Sequence, residues 1–235
     1  MCCLFGLIDY KNTMTIRDKE KLIRTLSIEC EERGTDATGV AYIENGAMKI
    51  FKKPLPAHKI KFHFKTNPKV IMGHTRMTTQ GDEKFNYNNH PFYSEKLNFA
   101  LAHNGVLYND KDLRNSENLP DTKIETDSFI AVQLIEQKGT LAFKTIANMA
   151  EKVLGSFCFT ILSKENELYI VKGDNPMAIA KVGEVYIYAS TNDILKKALS
   201  KVKMYNYDLY SVDIGKIVRF EGFNKISTSE FIAIQ

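Results

Sequence analysis

Two mainly antiparallel β-sheets packed face to face, with helices on their outer surfaces, is the α+β arrangement that this 235-residue chain predicts. Helical periodicity is gathered into two blocks instead of following every strand, which argues against a doubly wound parallel sheet. From Ser156 the character changes, and strand-like segments follow one another closely: Ser156–Leu162, Glu167–Val171, Met177–Lys181 and Val185–Ala189. The chain also begins on a continuous apolar run, Cys2–Ile8, the pattern of a strand covered on both faces.

The elements follow in order. Thr15 and Asp18 open a helix whose apolar positions Leu22, Ile23, Leu26 and Cys30 recur at helical spacing, with Gly34 as its stop. Ala37–Ile43 and Met48–Lys52 read as strands joined by a turn at Asn45-Gly46. A short amphipathic helix is expected after Pro56, and a strand over Val70–Arg76. Met77–Asn89 is polar, with Gly81 and several asparagines, and reads as a long mobile loop of the kind that covers a site. A strand over Asn98–His103 precedes two helices, Asp127–Gln137 and Leu141–Val153, the first with Phe129, Ile130, Val132, Leu134 and Ile135 on its apolar side. After the four closely spaced strands come a helix at Asp193–Ser200 and further strands over Tyr205–Phe220. No linker or repeat divides the chain, so residues 1–235 are expected to form one domain.

The composition excludes several function classes. A formal charge of +4 with scattered Lys and Arg argues against a nucleic-acid protein; the lysine-rich stretch Lys52–Lys69 reads as a solvated surface. The four cysteines (Cys2, Cys3, Cys30, Cys158) form no C-x-x-C pair, and adjacent Cys2 and Cys3 make a poor structural disulfide. With no secretory signal and no apolar run of membrane length, a cytoplasmic location is expected. The five histidines lack zinc-site spacing, and there is no dinucleotide, phosphate-loop or nucleophile-elbow motif, so neither metal nor cofactor is expected.

Candidate chemistry lies at predicted strand ends. Cys2 follows only Met1, so methionine removal would give one residue both a thiol and a free α-amine. Their ordinary pKa values, about 8.5 and about 7.7–8.0, are matched for a nucleophile with its own base. The plainer reading of Cys2 is the start of a buried strand. Arg33-Gly34-Thr35-Asp36-Ala37-Thr38-Gly39 is either a helix cap with a turn or part of a site. In Gly73-His74-Thr75-Arg76-Met77-Thr78-Thr79-Gln80-Gly81, Arg76 ends a buried strand; its guanidinium can clamp a substrate carboxylate or form a structural ion pair. In His103-Asn104-Gly105, the Asn-Gly pair is the strongest short hairpin signal. Chemically, though, the Asn104 amide beside the Gly105 N–H makes a two-donor oxyanion hole. Asp127 is either a helix cap or an acceptor for a substrate ammonium. Together these groups suit an α-amino acid whose side-chain carbonyl is attacked.

The chain resembles the class II, N-terminal nucleophile, glutamine amidotransferases, such as the glutaminase domains of glucosamine-6-phosphate synthase and amidophosphoribosyltransferase. The motifs that carry the resemblance are Met1-Cys2-Cys3-Leu4-Phe5-Gly6, the Arg33–Gly39 and Gly73–Gly81 segments, Asn89-His90-Pro91-Phe92, His103-Asn104-Gly105 and Thr126-Asp127. Gly155-Ser156-Phe157, Asn175-Pro176-Met177, Ala189-Ser190-Thr191 and Ile214–Val218 continue the match in the same order. The resemblance implies a four-layer αββα sandwich with Cys2 as nucleophile and Asn104 and Gly105 as the oxyanion hole. It also implies Arg76 on the glutamine α-carboxylate, Asp127 on the α-amine, Thr79 and His90 lining the pocket, Arg33 shaping the site, and the Met77–Asn89 loop as a lid.

Three positions depart from the pattern. Cys3 replaces the usual glycine, and Met77 and Gln80 replace an aromatic residue and a histidine found in glucosamine-6-phosphate synthase. The chain ends about where such a glutaminase domain ends. The expected arrangement is therefore a glutaminase supplying ammonia to a separate synthase subunit. The alternatives are a stand-alone hydrolase of γ-glutamyl amides or peptides, and a non-catalytic binding module.

Overall fold

The computed structural model describes residues 1–232. In chain order its strands are β1 (Cys3–Ile8), β2 (Ala37–Glu44), β3 (Ala47–Lys53), β4 (Val70–Arg76), β5 (Phe92–Ser94), β6 (Phe99–Leu107), β7 (Gly155–Ser163), β8 (Leu168–Lys172), β9 (Ala178–Val182), β10 (Val185–Ala189), β11 (Asp208–Ser211), β12 (Lys216–Gly222) and β13 (Lys225–Glu230). The α-helices are α1 (Ile16–Glu29), α2 (Asp110–Ser116), α3 (Phe129–Lys138), α4 (Phe143–Lys152) and α5 (Asn192–Lys201). A seven-stranded sheet runs β11-β9-β10-β1-β4-β2-β3, and a six-stranded sheet runs β13-β12-β8-β7-β6-β5. The pairings are antiparallel.

Side-chain alternation along β1 explains the layering. Cys3, Phe5 and Leu7 face outward and join Leu22, Ile23 and Leu26 of α1 and Ile194, Leu195 and Ala198 of α5 in one apolar cluster. Leu4 and Ile8 face inward and pack with Ala100, Ala102, Cys158, Leu162 and Ile170 of the other sheet. On the far side, α3 and α4 bury Ile130, Leu134, Ile146 and Met149 against Leu101, Phe159 and Val171. The result is the expected αββα sandwich, and it explains why β1 is apolar throughout: all its residues are buried. Cys2, two residues before Leu4, immediately precedes β1 and by alternation falls on the inter-sheet side.

Local signals account for many of the element ends. The Thr15 hydroxyl accepts the Asp18 N–H at 3.2 Å and starts α1, as Thr191 accepts from Ile194 at 3.2 Å to start α5. Asn45 and Gly46, with φ of 51° and 75°, make the turn between β2 and β3.

Other expectations need correction. The segment after Pro56 is a single 3₁₀ turn, Ala57–Lys59, because only Ala57 there is buried. α1 stops at Glu29, before Gly34, and passes into a 3₁₀ turn over Cys30–Glu32. Gly34 is needed for close approach instead: a Cβ there would lie 2.5 Å from the Arg76 carbonyl carbon. Asn104-Gly105 is no hairpin, since both lie within β6, paired to Cys158 and Phe157 of β7. β5, α2 and β13 are elements that the sequence pattern does not predict.

Candidate active site

The first residues of β1, the end of β4 and the end of β6 meet at one edge of the sandwich. Cys3 pairs with Thr75 and Ala37 with Arg76, so Cys2 and the Arg33–Asp36 loop both lie beside the exit of β4. That loop holds the exit in place. The Asp36 N–H donates to the Arg76 carbonyl at 2.9 Å, and an Asp36 carboxylate oxygen accepts the Thr78 N–H at 2.6 Å. The half-buried Arg33 donates its Nε–H to the Cys2 carbonyl at 2.9 Å.

Cys2 is 8% exposed, and its Sγ accepts the Met77 N–H at 3.4 Å. Burial pushes the thiol up to about 11, while the Met77 N–H, the N-terminal charge and Arg76 pull it down. Met1 is present, so the Cys2 nitrogen is a peptide amide. The terminal ammonium sits on Met1 and reaches the Met77 sulfur at 2.7 Å. The chain therefore holds a protonated thiol with no base of its own in this form.

Arg76 is 2% exposed. It donates from Nη1 to Asn89 Oδ1 at 2.7 Å and from Nη2 to the carbonyls of Gln80 and Gly81 at 2.6 and 2.9 Å. Asp127, 3% exposed, accepts the Leu107 N–H at 2.6 Å on one oxygen and the Ser128 N–H at 2.8 Å on the other. It thus ties the end of β6 to the start of α3, and Ser128, not Asp127, takes the N-cap position. Among the described residues, neither Arg76 nor Asp127 has an oppositely charged group within 4.0 Å, although both charges act on the Cys2 thiol. Of the two readings open for Arg76, the structural ion pair is therefore not what this structure contains.

The Asn104 side chain is wholly buried, and both its Nδ2 and Oδ1 lack a hydrogen-bond partner. Its carbonyl accepts from Asn175 Nδ2 at 2.9 Å. Gly105 has φ of 147°, and a Cβ there would lie 1.8 Å from the Ser156 carbonyl oxygen, so only glycine fits. His90 is 3% exposed with both ring nitrogens unpartnered, between His74 and Phe92 at ring separations of 4.2 and 4.4 Å. Burial and the neighbouring His74, His103 and Arg76 hold His90 well below the ordinary histidine value. His74 is pushed down to about 3, chiefly by burial. Its Nε2 therefore carries the proton that it donates to the His103 carbonyl at 2.9 Å. Thr79 is exposed on the loop.

The Met77–Asn89 loop is fastened more firmly than its polarity suggests. Asn88 and Asn89 are fully buried. Asn88 accepts the Glu125 N–H at 2.9 Å and donates to the Glu125 carboxylate at 2.8 Å. Gln80 Nε2 donates to the Glu125 carbonyl at 2.9 Å. Asn88 and Ser128 are site residues that sequence reasoning misses, and Asn89 and Asn175 lie in the matched motifs without an assigned role; clustered Asn in a polar segment is the available signal.

The glutamine amidotransferase domain family matches residues 60–228. The chain belongs to that family. The class is the N-terminal nucleophile, class II type. Over 216 residues it is 29% identical to glutamine–fructose-6-phosphate aminotransferase (isomerizing) of Staphylococcus epidermidis, covering 88% of this chain and 34% of that protein. The enzyme of the same name from Sulfolobus acidocaldarius is 29% identical over 201 residues, covering 82% of this chain and 33% of the relative. The chain thus spans about a third of the length of these curated relatives. Glutamine phosphoribosylpyrophosphate amidotransferase from B. subtilis, solved with ADP and GMP, superposes with a TM-score of 0.76 at 20% identity, over 98% of this chain and 49% of its own. That likeness shows the fold. Among the described residues, no helix is long and apolar enough to cross a membrane.

Proposed function

We propose that this glutamine amidotransferase domain hydrolyses the side-chain amide of glutamine and passes the ammonia to a separate synthase active site. The observation that carries the reading is the pair of buried, mutually unpaired charges beside Cys2, Arg76 and Asp127. A glutamine backbone offers the complementary carboxylate and ammonium on one carbon. The orphaned Asn104 amide beside Gly105 supplies the oxyanion donors, and Thr79 and His90 are assigned to the pocket wall.

The reaction begins after Met1 is removed. The Cys2 amine takes the thiol proton, directly or through water, and the sulfur attacks the amide carbon. The tetrahedral oxyanion is held by Asn104 and Gly105, the protonated amine returns a proton to the leaving nitrogen, and ammonia departs. A γ-glutamyl thioester remains on Cys2, and water hydrolyses it to glutamate. Arg33 keeps the nucleophile's carbonyl in place, and the Met77–Asn89 loop excludes bulk water. Residues 1–235 are read as this one domain.

The test is a glutaminase assay of protein whose N-terminal mass proves Met1 removal, beside Cys2→Ala and a Met1-retaining form. Glutamate and ammonia should form only with processed wild-type protein, and a diazoketone analogue of glutamine should label Cys2. Processed protein that neither turns over glutamine nor is labelled would refute the proposal. Selective turnover of γ-glutamyl peptides would transfer the site to a stand-alone hydrolase.

A further inference from the structure

Cys3 stands where the family pattern has glycine, and it faces away from the candidate active site. Its sulfur lies 2.7 Å from that of Cys30, and both residues are wholly buried and free. Cys3 is the first residue of β1, and Cys30 is the C-cap of α1, three residues before the Arg33 that grips the Cys2 carbonyl. Strand alternation puts Cys2 on the opposite side of β1, so Cys2 is not a partner for this pair. Cys158 lies in the inter-sheet cluster, whereas Cys3 and Cys30 lie together in the cluster beneath α1.

We infer that Cys3 and Cys30 are an oxidation site, converted by a peroxide into an internal disulfide that fastens the start of β1 to the end of α1. A disulfide needs the sulfurs at about 2.0 Å, so closure asks for less than about 1 Å of movement. The two thiols are also unequal. Burial raises both, but the neighbouring Cys30 and Ser190 outweigh it at Cys3 and hold it below the ordinary thiol value, while Cys30 stays well above. Cys3 is thus the attacking sulfur. It attacks one peroxide oxygen, the O–O bond breaks, and the displaced hydroxide takes the Cys3 proton and leaves as water, so that Cys3 becomes a sulfenic acid. The Cys30 sulfur then attacks that sulfur, its proton goes to the departing hydroxide, and water leaves as the S–S bond forms. The sum is two thiols and one hydrogen peroxide giving one disulfide and two waters. Both thiols are wholly buried, so the step needs an oxidant as small as hydrogen peroxide, which is close to water in size. The link would close a loop across 27 positions of sequence.

The experiment uses the full chain and needs no catalytic activity, so it stands apart from the glutaminase reading. Wild-type protein is treated with hydrogen peroxide, unfolded in iodoacetamide and weighed intact, then digested. Two alkylations in place of four, a Cys3–Cys30 peptide pair and full reversal by dithiothreitol are expected. The Cys2→Ser chain should form the same link. The thermal midpoint of the oxidised protein should exceed that of the reduced protein by about 5–10 °C. Four alkylations after oxidation, a different cysteine pair, dependence on Cys2, or an unchanged midpoint would each overturn the inference. Cys3→Ser and Cys30→Ala provide independent controls; each should abolish both the link and the midpoint rise.

Discussion

Replacing Asn104 by leucine separates a catalytic amide from a structural one. Leucine has the same number of side-chain heavy atoms in the same branched shape, so the strand keeps its packing. The backbone of Asn104 is untouched: it pairs with Cys158 in β7, and its carbonyl still accepts from Asn175. What disappears is a wholly buried amide whose two polar atoms bond to nothing. An unsatisfied buried polar group costs about 1–3 kcal/mol, so Asn104→Leu is expected to stabilise the fold by about that amount. At about 2–4 °C per kcal/mol for a chain of this size, the midpoint should rise by about 2–12 °C. Catalysis should move the other way. Loss of one oxyanion donor costs about 2.7–4 kcal/mol, so kcat for glutamine should fall by about 10²–10³, with KM nearly unchanged. The assays are thermal denaturation and steady-state glutamate release, on protein whose N-terminal mass matches processed wild type. A lowered midpoint together with a kcat reduced only a few-fold would refute the reasoning, because Asn104 would then be holding structure.

Arg76→Lys keeps the positive charge but loses the planar fork that donates to Asn89, Gln80 and Gly81. KM for glutamine should rise about 10–100-fold, the worth of one lost charge-assisted hydrogen bond, with kcat changed much less; an effect on kcat alone would contradict the carboxylate assignment. Gly105→Ala places a Cβ 1.8 Å from the Ser156 carbonyl at a φ of 147°, so a destabilisation of about 3 kcal/mol or more is expected by urea unfolding, and near-wild-type stability would show that β6 can shift. The wholly buried Asp9–Lys19 pair, 3.1 Å apart, should contribute to acid stability. Burial raises the Asp9 pKa, but the N–H groups of Met14 and Thr13 and the Lys19 ammonium more than offset it, leaving Asp9 below the ordinary value. Its contribution is complete above the unfolded value of about 3.9 and is lost as pH falls through the lower folded value. Asp9→Asn should therefore destabilise by about 3 kcal/mol or more at pH 7, with the difference from wild type shrinking below pH 4 in urea titrations.

Segments whose local pattern and tertiary environment agree were legible in the sequence. β1 and α1 are examples, since an apolar run and a helical stripe each meet a matching surface. Where the environment overrides the local signal, reading failed. Asn104-Gly105 carries the turn signature, yet β7 pairs with it along its length and Gly105 serves to let the Ser156 carbonyl approach. α2 buries only Leu113, and β13 buries none of its residues, so neither shows a periodicity to read. Asn88 and Asn89 failed for a related reason: a polar side chain that bonds inward looks the same in sequence as one that faces water.

The separation of Arg76 from Asp127 bears on what the site can distinguish. Two buried opposite charges would ordinarily collapse onto each other, because each costs several kcal/mol to leave unpaired. Here each is held by its own set of bonds. Arg76 is fixed by Asn89 and the Gln80 and Gly81 carbonyls at the end of β4, and Asp127 by the Leu107 and Ser128 N–H groups ahead of α3. Pairing would break those bonds on both sides, so the two charges stay apart, and on the proposed reading they accept a ligand that carries a carboxylate and an ammonium on the same carbon. Glutamine and γ-glutamyl peptides share that end. On the proposed reading, Arg76 and Asp127 therefore select the amino-acid end and are indifferent to the leaving group. Discrimination between ammonia and a larger amine must come from residues beyond the Cys2 thiol, where Met77, 47% exposed, stands in place of an aromatic residue. Enlarging that position with Met77→Trp should lower kcat/KM for γ-glutamyl peptides more than for glutamine, and an equal effect on both would place the selecting surface elsewhere.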